Sequence, residues 1–215
     1  MKKFALIVFL GTGFLSWWTA APAQMPPKTA GSAHLSKSAV ELCLAMRKLW
    51  EDHITWTRNY IISALANLED AGAVANRLLA NQDDLGSAVK PFYGEEAGKK
   101  LAGLLRDHIL IATEVVKAAQ AGQAAELGAA QKKWAANADE IAAFLSGANP
   151  HWPKAELAEM LHKHLAYTTG EVVGRLKKDW KADVIAYDLG HEHMLMFADM
   201  LTSGIVAQFP QKFKD

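Results

Sequence analysis

Asp188-Leu-Gly-His-Glu-His-Met-Leu-Met-Phe-Ala-Asp-Met-Leu201 is the stretch from which the fold is read. Steps of three and four residues join Ile185, Leu189, His193, Met196, Met200 and Gly204, the spacing of one face of an α-helix. That face is apolar except for His193, and a buried imidazole without a partner costs free energy. Three earlier stretches repeat the arrangement. His53 falls in the series Cys43, Met46, Trp50, His53, Thr57, Tyr60, Ala64; His108 in Leu101, Leu105, His108, Ala112, Val115; His164 in Leu157, Met160, His164, Thr168, Val172.

The chain around these stretches is rich in Ala, Leu, Glu and Lys, which favour helix. Six helical segments are predicted, at about 38–68, 70–89, 95–121, 124–146, 153–180 and 182–208. Lys90-Pro91-Phe92-Tyr93-Gly94 and Gly147-Ala-Asn-Pro150-His-Trp-Pro153 read as breaks, since a proline disfavours helix at the residue before it. Short connections between helices of similar length predict an all-α, up-and-down bundle of about six helices, occupying residues 37–209 with a short tail at 210–215.

An internal repeat runs through it. Asn81-Gln-Asp-Asp-Leu85 and Asn137-Ala-Asp-Glu-Ile141 each precede a proline-containing break, and each asparagine lies 27 residues before a histidine, His108 or His164. The period of this helix–break–helix duplication is 56 residues, the kind of regularity that marks repeated structural units. Antiparallel neighbours share a midpoint, so His53, His108, His164 and His193 are expected in one layer with Asn81 and Asn137.

The N-terminus carries Met-Lys-Lys, an apolar run over Phe4–Phe14 and Ala21-Pro22-Ala23, the pattern of a secretory signal peptide ending at residue 23. Residues 24–36, with Pro26, Pro27, Gly31 and Ser32, read as a flexible leader. The exported form, periplasmic or secreted, is expected to be free of stable membrane insertion. Its 23 − 2 = 21 basic and 23 acidic residues leave a charge of −2, without the basic surplus that nucleic acid would need. Cys43 is the only cysteine, which excludes an intramolecular disulfide, and its apolar neighbours predict a buried thiol.

Converging neutral imidazoles are suited to a transition metal. The first expectation is therefore a zinc or copper site on His53, His108, His164 and His193, for storage, transfer or sensing. Asn81, Asn137, Thr57, Thr168, Asp199 and Met196 would stand behind the ligands, since a ligating imidazole usually donates its second N–H to an acceptor. One alternative is a non-covalent haem or other flat ligand lined by Trp50, Trp56, Trp134 and Tyr167. Another is a structural or partner-binding bundle whose His/Asn layer fixes helix register, as a buried asparagine does in a coiled coil. His34, His151, His162 and His191 are expected at the surface. No nucleophile elbow, phosphate loop or zinc-protease motif is present, so an enzyme is not the expectation.

Leu49-Trp-Glu-Asp-His-Ile-Thr-Trp-Thr-Arg58, Leu105-Arg-Asp-His-Ile-Leu-Ile-Ala112 and His193-Met-Leu-Met-Phe-Ala-Asp-Met-Leu201 resemble the blocks of an uncharacterised family of small bacterial helical proteins. Some members carry the label glycosyltransferase or acetylglutamate kinase, although these blocks contain no nucleotide or sugar-nucleotide motif. The resemblance implies a helical fold and no particular reaction.

Overall fold

A computed structural model describes residues 36–214. The signal-peptide and leader readings lie outside the described residues, except at Ser36. Among the described residues there are six α-helices and no strand: α1 (Lys37–Leu65), α2 (Ala71–Tyr93), α3 (Glu95–Ala121), α4 (Ala124–Ala148), α5 (Lys154–Leu176) and α6 (Trp180–Gln208). A short 3₁₀ turn, Pro210–Phe213, follows. None of these helices is long and apolar enough to cross a membrane.

The helices close into a ring. Each packs on the next, α6 packs back on α1, and α1, α3 and α5 also touch one another across the middle. The three helices predicted to carry layer histidines at His53, His108 and His164 are thus the three that meet at the centre. The ends follow from local chemistry. Ser36 and Asp179 cap α1 and α6 by accepting from the amides of Ala39 and Ala182, as N-cap side chains do. Gly94, at φ 86°, turns the chain between α2 and α3, a conformation glycine adopts without strain.

Two expectations need correction. The second helix does not stop before Pro91 but runs to Tyr93. Proline has a helical φ and removes only one amide donor, and the last turn is held by packing. Phe92 lies against Phe209 and Phe213, and Tyr93 against Trp152 and Phe209.

The second correction concerns α6. Ile185, Leu189 and Met196, predicted to face the core, are about half exposed at 48%, 49% and 55%. The buried face runs instead through Asp183, Ala186, Gly190, His193, Met194, Phe197, Leu201 and Ile205. Small residues admit α5 closely there: a Cβ added to Gly170 would lie 3.2 Å from the Cβ of Ala186, and one added to Gly190 would lie 3.4 Å from that of Tyr167. Close packing selected the side with small residues, leaving the larger aliphatics outside.

A buried ionic cluster ties α1, α5 and α6 together. Arg58 grips both oxygens of Asp183 at 2.5 and 2.9 Å and reaches Glu171 at 2.9 Å; Arg175 donates to Asp183 at 3.0 Å. Burial drives the Glu171 carboxyl up to about 7, against the opposing pull of Arg58.

Candidate functional site

His53, His108 and His164 are each at most 3% exposed. The His164 ring centroid lies 5.6 Å from that of His53 and 6.0 Å from that of His108. The expected layer therefore exists for three of its four histidines. One hydrogen bond recurs around it. Asn81 donates to the Leu49 carbonyl at 3.0 Å, Asn137 to the Leu104 carbonyl at 3.1 Å, and His193 Nε2 to the Met160 carbonyl at 2.8 Å. Each of those carbonyls lies four residues before a central histidine, so α2, α4 and α6 lean on α1, α3 and α5 through equivalent bonds.

Beyond that bond the three pairs diverge. In the α3–α4 pair, Asn137 Oδ1 lies 2.7 Å from His108 Nδ1. An amide oxygen only accepts, so Nδ1 carries the proton. Nε2 then accepts from the Trp134 indole at 3.1 Å, and His108 is satisfied at both nitrogens. In the α1–α2 pair, Asn81 Oδ1 is taken by Gln82 Nε2 at 3.1 Å, and His53 Nδ1 has no partner among the described residues. In the α5–α6 pair, a histidine replaces the asparagine, and His164 Nδ1 has no partner there either. The two unpaired imidazoles thus follow from two local departures from the α3–α4 arrangement.

His53, His164 and Thr57 line a small internal cavity of about 20 Å³, shared with His108, Trp134 and Thr168. Thr57 Oγ1 is also unpartnered, whereas Thr168 bonds the His164 carbonyl at 3.1 Å. Burial depresses every central imidazole. His53 falls to about 3 and His108 to about 4; His164 falls well below 6.5, helped by the charge of its neighbours. The Gln82 side chain works weakly the other way on His53, without a hydrogen bond of normal geometry. All three rings are consequently neutral at physiological pH, with ring nitrogens free of added protons.

The remaining predicted residues separate. His193 is buried, donates Nε2–H to Met160 and packs edge-on to Tyr167 at 5.6 Å, but it does not line the cavity that His53, His108 and His164 share. Among the described residues, no group of three or more His, Cys, Asp and Glu is arranged to hold a metal ion. Asp199 lies at the α1–α6 groove, bound by both Arg47 Nε and Arg47 Nη2, with Cys43 Sγ at 3.6 Å. It therefore does not stand behind the histidines, and Cys43 is only partly buried. Met196 faces outward. His162 pairs with Asp139 and His191 with Glu51, and His151 is exposed; His34 lies outside the described residues.

Sequence reasoning missed Gln82 and named Trp134 only as a wall of a flat-ligand pocket, yet these two decide which rings are satisfied. Their signals were present: Gln82 adjoins Asn81, and Trp134 lies three residues before Asn137 on the same helix face. No family model, no curated protein and no solved structure matches this chain.

Proposed function

We propose that this is an exported helical-bundle protein that binds one transition-metal ion between core histidines, for storage, transfer or sensing. The carrying observation is the pair His53 and His164: buried, neutral, 5.6 Å apart by ring centroid, each with an unpartnered Nδ1, and both lining one cavity. Buried polar groups are normally satisfied, and two such rings side by side are suited to a shared electron-pair acceptor. Copper is favoured over zinc. Structural zinc asks for four donors, whereas a singly charged copper ion is content with two imidazoles and costs less to bury than a doubly charged one. His108 would join only by giving up the Trp134 N–H, and His193 is not among the residues that line the cavity. Thr57 supplies a hydroxyl beside the pair.

The cavity volume favours an ion over haem, because about 20 Å³ accommodates roughly one water-sized centre. Metal analysis of purified protein, after chelation and refilling with Zn(II) or Cu(I), is the test. About one ion per chain is expected, with loss of uptake in His164→Ala and retention in His193→Ala. Failure of the wild type to take up either ion overturns the proposal.

A second reading has its own observation. The Asn137–His108–Trp134 chain is complete without a ligand, as a polar layer fixing helix register would be. Under that reading the layer binds nothing, and the same metal analysis separates the two.

A further inference from the structure

Five of the eleven large apolar side chains left exposed among the described residues, Trp180, Val184, Ile185, Leu189 and Met196, lie on α6, more than on any other helix, which singles out its outer face as an interaction surface. An apolar stripe of this kind on a soluble domain marks a site of association. Its charges indicate with what. The exposed positions Lys181, Ile185, Asp188 and Glu192 follow steps of four, three and four residues, a spacing that reads the same in either direction. Two copies of α6 laid antiparallel, with a twofold axis level with Ala186 and Tyr187, place Lys181 of each copy opposite Glu192 of the other. Val184 then meets Leu189, and the two Ile185 side chains flank the axis. Lys181 and Glu192 make no ion pair within the chain among the described residues, so both are available.

We infer that the occupant of this face is a second copy of the chain, paired through α6 in a closed twofold dimer. Such interfaces are self-complementary by construction, and this stripe meets that requirement in its spacing and in the two Lys181–Glu192 pairs, while Asp188 of each copy faces Ile185 of the other at a cost those pairs must offset. An anionic membrane is the poorer match, because Asp188 and Glu192 stand in the middle of the stripe and would be repelled by its surface. One helix pair buries less than the roughly 1,600 Å² of a standard interface, so the association is expected in the micromolar range.

Sedimentation equilibrium of the mature chain tests this at concentrations up to roughly 500 μM, far above a micromolar Kd. The apparent mass is expected to rise from one chain to two. Lys181→Glu and Glu192→Lys should each weaken association, by roughly tenfold for two lost pairs and two new repulsions. The double variant should restore it, and Leu189→Glu should abolish it with the far-ultraviolet circular dichroism unchanged. A wild type that stays monomeric, a double variant that fails to recover, or binding to phosphatidylglycerol vesicles in place of self-association would each overturn the inference.

Discussion

Asn137 accepts the Nδ1–H of His108 at 2.7 Å while its own amide donates to the Leu104 carbonyl at 3.1 Å. One side chain thereby fixes the tautomer of a core imidazole and the docking of α4 on α3. Neither of the other two central histidines has such a partner, and the proposed ligand pair is the result.

Asn137→Leu removes both bonds at once. It leaves a buried N–H on His108 without an acceptor, costing about 1–3 kcal/mol, while the Leu104 carbonyl keeps its bond from the His108 amide within α3. For a chain of this size that corresponds to a fall in Tm of roughly 2–12 °C, measurable by calorimetry. Trp134→Phe removes only the donor to His108 Nε2 and should cost less.

Acid should loosen the bundle through the same rings. Their folded values lie below the ordinary 6.5, so below that pH the unfolded chain binds more protons than the folded one. Stability is then intact above about pH 6.5, begins to fall as pH drops below it, and goes on falling toward about 4 for His108 and about 3 for His53. Glu171 acts in the opposite direction. Its raised value of about 7 gives a contribution that is fully present below the ordinary 4.5 and lost as pH rises through 7. With three rings against one carboxyl, the net slope between pH 4.5 and 6.5 is at most about two protons, or roughly 2.7 kcal/mol per pH unit. Urea melts at stepped pH should show stability rising to a plateau above about pH 7. A profile unchanged by replacing His53, His108 and His164 with Leu would contradict the assignment.

Gly204 is where α6 meets the α4–α5 turn. A Cβ there would lie 2.0 Å from Trp152 Nε1, and Trp152 is fully buried. Gly204→Ala should destabilise by about 1–3 kcal/mol, the usual range for overpacking a filled core, whereas Gly128→Ala, with open space around it, should be neutral or slightly stabilising because alanine is the better helix former. Thermal melts of the two variants make the comparison.

The helical class and the meeting of His53, His108 and His164 were legible because periodicity places a residue on a helix face and equal spacing places it at a height. Neither quantity says which neighbour a face turns toward. His193 has the right height, but on α6 it reaches the Met160 carbonyl and the Tyr167 ring. The buried face of α6 was misjudged because Ile185, Leu189 and Met196 outweigh Ala186 and Gly190 in hydrophobicity, while close approach of α5 depends on small residues. The Arg58–Asp183–Glu171–Arg175 cluster went unseen for a related reason: charged residues in sequence read as surface, and only tertiary pairing allows their burial.

Nitrogen-15 NMR of the imidazole side chains during titration with Cu(I) addresses the metal proposal most directly, because it names the ligating rings as well as detecting an ion. At one equivalent, the His53 and His164 resonances should shift to metal-bound positions, with the His108 tautomer and His193 unchanged. A titration that leaves His53 and His164 unmoved, or that shifts only His151, His162 or His191 at the surface, would contradict it.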